Sequence, residues 1–170
     1  RFPKPVIVSA DGITMGAGLG LAASADLSIA TERTRMAMPE TRIGFFPDVG
    51  ATGWMFDKCP PGYPEYLALT GYEMIGSECV RVGFATHMIA SERVPVVIQR
   101  LENDSRGLSR DKTVGVKQIL SCLDPLLDEA DIVQKPEMDD WVRTYFKGKT
   151  SLVKMLAELR KCSIFRDLCD

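Results

Sequence analysis

Gly16 and Gly18 lie where an apolar segment gives way to an Ala/Leu-rich one. Residues 6–10 favour a buried strand, and residues 16–24 favour a helix. The first backbone N–H groups of a helix have no partner within it, and the helix dipole places partial positive charge there. Such a turn can hold a phosphate group or a developing oxyanion, or it can have only a packing role.

Two carboxylates, Glu40 and Asp48, follow on one loop that also contains Phe45 and Phe46. A carboxylate can attack a carbonyl carbon or take a proton from water. By residue type alone, however, each acid is better explained as a surface residue and the aromatics as core residues. These four residues therefore suggest chemistry only if something else places them at a site.

The glycine spacing does not match a dinucleotide-binding turn. Gly16, Gly18 and Gly20 alternate, and Leu21 stands where the G-x-G-x-x-G pattern needs its third glycine. The turn is therefore not predicted to bind a dinucleotide.

The elements that must position these groups alternate between strands and helices. Leu27–Ala30 predicts a second strand directly after the first helix, which gives a β-α-β step. A short strand is predicted at 36–39 and a helix at 49–57, entered through Gly50. The first half of the chain is therefore predicted to have an α/β fold.

The second half is predicted to be helical. The composition becomes polar around 103–113, so residues 1–103 are predicted to form the core and residues 104–170 a helical appendage. Thr150 or Ser151 is predicted to cap the last helix. The predicted apolar faces are Val94, Ile98 and Leu101 on one helix, and Leu152, Leu156 and Leu159 on the last. These faces must cover the core or bind a partner.

The composition excludes several classes of function. A net charge of -2 gives no reason to expect a nucleic-acid or membrane surface, and no apolar run approaches the roughly 18 to 20 residues of a membrane span. The five cysteines form no C-x-x-C pair, and one histidine, His87, cannot build a multi-histidine metal site. Neither a disulfide framework nor a metal is predicted, and a reducing compartment is expected.

Several ordered blocks of sequence carry a family resemblance. They are Asp11-Gly12-Ile13-Thr14-Met15-Gly16, Ile29-Ala30-Thr31-Glu32, Ala37-Met38-Pro39-Glu40-Thr41, Ile43-Gly44-Phe45-Phe46-Pro47-Asp48-Val49-Gly50 and Leu67-Ala68-Leu69-Thr70-Gly71. Together they resemble the enoyl-CoA hydratase/isomerase (crotonase) superfamily, and most closely its 3-hydroxyisobutyryl-CoA hydrolase branch. The resemblance is dense over the first half and thin over the second.

The resemblance implies a crotonase-like α/β spiral of ββα units, followed by a C-terminal helical region. It implies hydrolysis of a short β-hydroxyacyl-CoA thioester, as in valine catabolism, with CoA as part of the substrate and no separate cofactor. A homo-oligomer of the trimer type is expected, located in the cytoplasm, or in the mitochondrial matrix if the source is eukaryotic.

The resemblance also implies the site residues. Glu40 and Asp48 fall on the positions of the two active-site carboxylates of the hydrolase branch, although their individual roles stay open. Ala17, on the turn that begins at Gly16, matches the backbone donor of the oxyanion hole. The aromatic residues expected to shape the acyl pocket are Phe45, Phe46 and Trp54.

Two alternatives are weighed against hydrolysis. The hydratase branch carries its first acid at the position of Gly20, so the missing carboxylate weakens a hydratase assignment. A non-catalytic relative that keeps the fold for assembly is suggested by residues 51–53, where relatives are usually richer in glycine. The resemblance further implies elements upstream of Arg1, including a second oxyanion donor, so the chain is expected to be a fragment.

Overall fold

The computed structural model describes residues 2–104, 107–127 and 132–162. Strands and helices alternate through the first half, and helices follow one another in the second. The strands are β1 (Ile7–Ala10), β2 (Ile13–Met15), β3 (Leu27–Ala30), β4 (Arg35–Ala37), β5 (Met74–Ile75) and β6 (His87–Met88). The α-helices are α1 (Ala17–Ser24), α2 (Ala51–Lys58), α3 (Tyr63–Thr70), α4 (Ser77–Arg81), α5 (Val94–Asp104), α6 (Lys112–Leu123), α7 (Pro136–Tyr145) and α8 (Leu152–Leu159). Short 3-10 helices occupy Glu40–Ile43, Ser91–Arg93 and Asp124–Leu126.

The strands form two three-stranded sheets. One has the order β1-β3-β6 and is entirely parallel. The other has the order β2-β4-β5, in which β2 and β4 are parallel and β5 is antiparallel to β4. All four residues of β3 are buried, as expected for a parallel strand covered on both faces. The predicted α/β fold with ββα units is therefore confirmed.

A polar corner joins the turns that follow β1 and β3. The Thr31 hydroxyl donates to Asp11 Oδ1 at 2.7 Å, and the Arg33 guanidinium also binds the Asp11 carboxylate. The hydrogen bond from Arg33 is the main reason that the pKa of Asp11 lies below its usual value. These contacts fix the point at which the chain leaves one sheet and enters the other.

The prediction that the first helix directly follows the first strand is wrong, because strand β2 lies between them. This strand has only three residues, and Ile13 at its start is 73% exposed, so no apolar run marks it in the sequence. Its partner β4 is about 20 residues away along the chain, in the register Ile13 to Arg35. Pairing between distant segments, and not local preference, creates this strand.

The C-terminal helices pack into the core of the first half. Val142 and Phe146 of the α7 region belong to the same buried cluster as Tyr63, Tyr66 and Leu67 of α3. A second cluster joins β3 to α5 and α6 through Leu27, Ile29, Val97, Ile119 and Leu123. The boundary at 103/104 stays a prediction, and part of the predicted linker, residues 105–106, lies outside the described residues.

Two predicted helix faces need correction. On α5 the buried residue is Val97, whereas Ile98 is 48% exposed. On α8 the buried residues are Met155 and Leu159, whereas Leu152 and Leu156 are exposed. A spacing of three or four residues fits more than one face, and tertiary packing selects which one is buried. The predicted cap is confirmed at Ser151, whose hydroxyl accepts from the Lys154 N–H.

Cys59, Cys79 and Cys122 are not in disulfide bonds, Cys162 accepts a hydrogen bond from the Trp141 indole N–H at 3.3 Å, and Cys169 lies outside the described residues. Within the described ranges, no group of His, Cys, Asp and Glu side chains could hold a metal ion. None of the helices described combines the length and apolar character needed to cross a bilayer.

Candidate active site

The pairing of β2 with β4 brings the glycine turn and Glu40 to one edge of a sheet. Met15, the last residue of β2, is in register with Ala37, the last residue of β4, and the Gly16 N–H donates to the Ala37 carbonyl at 3.2 Å. The carboxyl ends of parallel strands meet at the same edge. Helix α1 begins at Ala17 from one strand, and the 3-10 helix begins at Glu40 from the other.

The start of α1 offers free backbone donors. The first helical hydrogen bond runs from the Gly20 N–H to the Gly16 carbonyl at 3.0 Å, so the N–H groups of Ala17, Gly18 and Leu19 precede it and lack intrahelical partners. Gly16 has φ 51° and ψ -120°, a conformation that glycine adopts without strain. Because the Gly16 N–H already binds Ala37 and Ala17 is exposed, Ala17 is the better-placed donor for a bound carbonyl oxygen.

The Glu40 carboxylate lies against this turn. A Cβ added to Gly16 would be 2.9 Å from Glu40 Oε1, so only a glycine leaves room for the carboxylate there. Glu40 is 8% exposed, and among the described residues its Oε2 has no hydrogen-bond partner. A buried carboxylate oxygen with no partner is rare in proteins, because leaving it unpaired is unfavourable. The hydrogen-bonding capacity of this oxygen is therefore not filled by the described residues.

The backbone of Glu40 is fixed by the residues around it. Its carbonyl accepts from the Phe45 N–H at 3.0 Å, and Gly44 ends the 3-10 helix in the left-handed conformation, with φ 73°. On the other side, a Cβ on Gly71 would lie 3.2 Å from the Cα of Pro39, so the end of α3 packs closely against this helix. The backbone that carries the carboxylate is thus held by contacts on both sides.

The structure places Asp48 and the two phenylalanines on the surface. The rings of Phe45 and Phe46 stack with centroids 4.4 Å apart and are 49% and 64% exposed. Asp48 is exposed, and the ion pairs of the described residues include neither Asp48 nor Glu40. Glu40 therefore contacts the glycine turn. Asp48 is linked to helix α1 through its neighbour Val49, whose side chain packs on Gly20.

Val49 occupies the space beside Gly20, which sequence reasoning did not reveal. A Cβ on Gly20 would meet Val49 Cγ2 at 2.6 Å and Val49 Cβ at 2.8 Å, so no larger side chain fits at position 20 in this arrangement. Trp54, whose predicted role in shaping the acyl pocket stays a prediction, donates from its indole N–H to the Val49 carbonyl at 3.2 Å and packs edge-on to Phe84. The only signal in the sequence was the glycine at position 20.

Two cavities lie on another part of the molecule. One, of about 240 Å³, is lined by residues of α5, α6 and the segment between them, and the other, of about 510 Å³, by residues near Phe2 and the start of α6. Neither includes Gly16, Glu40 or Asp48. At the candidate site, Ala17 and Gly18 at the start of α1 are exposed, whereas Glu40 is buried.

Comparison with known proteins identifies the family. The model of the enoyl-CoA hydratase/isomerase family matches residues 1–167, nearly the whole chain. This chain belongs to the enoyl-CoA hydratase/isomerase family. The resemblance seen in the sequence, and the crotonase fold that it implied, are both confirmed.

Individual relatives in the family differ in their named roles. A mitochondrial 3-hydroxyisobutyryl-CoA hydrolase from Xenopus laevis is 37% identical over 164 residues, covering 94% of this chain and 40% of its own length. The small ribosomal subunit protein mS47 from Neurospora crassa is 45% identical over 100 residues, covering 59% of this chain and 20% of its own length. The chain thus spans well under half the length of these curated relatives.

Among solved structures, a carnitinyl-CoA dehydratase from Mycobacterium thermoresistibile matches with a TM-score of 0.78 and 28% identity. The match covers 97% of this chain and 45% of that one. The family therefore includes proteins named for hydrolysis and for dehydration, and the residues of the site must discriminate between them.

Proposed function

We propose that this chain carries the active-site half of an acyl-CoA thioester hydrolase of the 3-hydroxyisobutyryl-CoA hydrolase type. The observation that supports it most is the buried, unpartnered Glu40 carboxylate beside the free N–H groups at the start of α1. Hydrolysis of a thioester needs these two groups together, one to stabilise the carbonyl oxygen and one to deliver a nucleophile.

In this proposal the Ala17 N–H donates to the thioester carbonyl oxygen, where negative charge develops as the carbon is attacked. A donor of this kind contributes about 3 kcal/mol in comparable oxyanion holes. Glu40 either takes a proton from the attacking water or attacks the carbonyl carbon itself, and Asp48 assists it. The C–S bond then breaks, and the CoA sulfur leaves as a thiol with the proton taken from water. If Glu40 attacks instead, the acyl group is left on Glu40 as an anhydride; water then hydrolyses it, which restores the carboxylate and releases the proton that the sulfur takes up.

Phe45 and Phe46 are proposed to contact a short acyl group. Their stacked rings are exposed on the segment that follows Glu40, five and six residues along the chain, and burying apolar surface against a substrate is favourable. CoA enters with the substrate, and the reaction as written needs no separate cofactor. We also propose that the protein forms a homo-oligomer and has a mitochondrial location like that of the named relatives.

The packing at Gly20 supports hydrolysis over hydration. The hydratase branch carries an acid at this position, and here Val49 fills the space where even a Cβ would stand. Water addition to a double bond needs both an acid and a base near the α and β carbons. Val49 closes position 20 to an acid, so Glu40 is left as the acid that contacts the glycine turn.

The relative named as a ribosomal protein favours a second candidate, a non-catalytic assembly protein. That relative is 45% identical to this chain over 100 residues. Similarity alone therefore does not separate a hydrolase from an assembly protein. The less glycine-rich segment at 51–53 is consistent with the same alternative. An assembly protein would bind a ribosomal particle tightly and would turn over no thioester.

One assay separates these functions, using the purified protein with any flanking natural sequence retained. Release of free CoA thiol is followed across short acyl-CoAs with and without a β-hydroxyl group, and absorbance is followed on an enoyl-CoA. We expect thiol release, fastest on a β-hydroxyacyl-CoA. An absorbance change without thiol release would establish a hydratase, and neither signal, with co-sedimentation on small ribosomal subunits, would establish the assembly protein.

A further inference from the structure

Val49 has a backbone conformation that its side chain disfavours. Its φ is 47°, and it is the only residue other than glycine with a positive φ among those described. A β-branched residue in the left-handed region is strained, and such strain persists only where the surroundings impose it. Strained residues of this kind cluster at functional sites.

Contacts on both sides hold Val49 in place. Its side chain packs on Gly20, where the missing Cβ provides the necessary space, as the 2.6 Å and 2.8 Å distances to an added Cβ show. Its carbonyl accepts a hydrogen bond from the Trp54 indole at 3.2 Å, and Trp54 in turn packs on the fully buried Phe84, with ring centroids 5.1 Å apart. We call Val49, Gly20 and Trp54 the clamp.

The clamp links the Asp48 backbone to the helix that starts at the candidate site. Asp48 immediately precedes Val49, and its carbonyl accepts from the Ala51 N–H at 2.8 Å. Gly20 lies one helical turn after Gly16, against which the Glu40 carboxylate packs. Val49 and Glu40 therefore lie against the same helix one turn apart.

We propose that Val49 is a positioning residue that holds the Asp48 carboxylate at the active site by packing on Gly20. The inference deepens the proposed hydrolase function and rests on it. Val49 touches neither substrate nor reacting atoms in this proposal and acts only through the backbone of Asp48. An error of about 1 Å in the position of a catalytic group can lower a rate by about 100-fold.

The test combines substitutions at positions 20 and 49 in the purified protein, assayed by thiol release. Gly20→Ala introduces the clash, and we expect kcat to fall by about 100-fold with little change in KM. Gly20→Ala/Val49→Ala should stay impaired, because the Val49 Cβ itself lies 2.8 Å from the added methyl group. Gly20→Ala/Val49→Gly removes both clashing groups and relieves the strain, so its kcat should be at least about tenfold above that of Gly20→Ala.

Gly53→Ala is the matched control. It makes the same chemical change inside helix α2, where an added Cβ would meet nothing within 4 Å, so its kcat should equal that of the wild type. Alanine favours a helix more than glycine does, so helix propensity cannot explain a loss in Gly20→Ala. A purely structural defect at position 20 would lower the melting temperature and the fraction of folded protein together, whereas a loss of positioning lowers kcat per folded molecule.

Hydrogen exchange of the Trp54 indole N–H, measured by NMR, follows the clamp without any substrate. Exchange should be faster in Gly20→Ala and return towards the wild-type rate in Gly20→Ala/Val49→Gly. If the wild type is active and Gly20→Ala matches Gly53→Ala in kcat, or glycine at position 49 gives no recovery, the proposal is overturned. A wild type that releases no thiol overturns the proposed function first, and the positioning role with it, whatever the indole shows.

Discussion

Glu40 and Gly16 are in contact although 24 residues separate them, and an added Cβ on Gly16 would lie 2.9 Å from Glu40 Oε1. Glycine is thus required at position 16 for two reasons. Its φ of 51° is positive, and the Glu40 carboxylate fills the space that a Cβ would need. The contact joins the segment that offers free N–H groups to the segment that offers a carboxylate. The proposed hydrolysis requires both groups at this point of the fold.

Replacing Gly16 with alanine should reveal both requirements. Gly76→Ala is the matched control, because Gly76 has nearly the same backbone angles, φ 56° and ψ -126°, and an added Cβ there would meet its nearest atoms at an ordinary 3.8 Å. Urea unfolding should show a loss larger by about 1 kcal/mol or more for Gly16→Ala than for Gly76→Ala, since only the first also displaces a carboxylate. Equal losses would contradict the contact.

Replacing Ala17 with proline should remove the candidate oxyanion donor and leave the helix intact. Ala17 is the first residue of α1, where proline is tolerated because its missing N–H has no intrahelical partner, and the preceding Gly16 has no Cβ to clash with the ring. We expect kcat for thiol release to fall by about 100-fold or more, with the circular dichroism spectrum unchanged. A proline variant as active as the wild type would exclude the Ala17 N–H.

A buried ionic network should dominate the attachment of α7 to the rest of the molecule. Glu78 Oε1 lies 3.1 Å from the Arg81 guanidinium and 2.9 Å from Lys135 Nζ, and Arg81 also binds Asp139 of α7. The Glu78 and Arg81 side chains are each only 6% exposed. This is the clearest case in the described residues of charges removed from water together.

Glu78→Gln should therefore destabilise the protein by about 3 kcal/mol, because the buried Arg81 charge loses its buried carboxylate partner and keeps only the more exposed Asp139. The control is Asp140→Asn, which breaks the exposed pair with Arg143 on the same helix and should change stability by less than about 0.5 kcal/mol. Chemical denaturation measures both variants. Similar small changes in the two would show that the network adds nothing to stability.

Stability should depend on pH through His87, the single histidine of the chain. Burial lowers its pKa from the ordinary 6.5, because the charged form is disfavoured in the folded state. The unfolded chain then binds the proton more tightly, so stability is full above pH 6.5 and declines as the pH falls below it. The free energy of unfolding should decrease between pH 7.5 and 5.5 in the wild type and less so in His87→Gln; parallel profiles would contradict the effect of burial.

The sequence alone predicted those strands and helices that are determined by a local pattern of residues. The apolar run before Gly16 and the Ala/Leu-rich stretch after it predicted β1 and α1, and Leu27–Ala30 predicted β3 with its observed bounds. Short strands such as β5, only Met74–Ile75, carry too few residues for a pattern. They form because a distant strand offers hydrogen-bond partners, which no local window contains.

The site was predicted only as far as the resemblance extended. Residue types alone left Glu40 and Asp48 as surface acids, since nothing local shows that β2 and β4 end side by side. The structure separates the two, because Glu40 is buried at the turn and Asp48 is exposed. The role of Val49 could not be inferred, because it depends on a contact with Gly20 across 29 residues and on a backbone angle.

The most direct measurement is the rate of thiol release from a short β-hydroxyacyl-CoA by the wild type, Glu40→Gln and Asp57→Asn. Glu40→Gln keeps the size of the side chain and removes its charge, whereas Asp57 is an exposed acid on α2 that serves as the control. We predict that Glu40→Gln lowers kcat by about 100-fold or more at an unchanged melting temperature, and that Asp57→Asn matches the wild type. Equal rates in all three proteins would contradict the assignment of Glu40 and, with it, the proposed hydrolase.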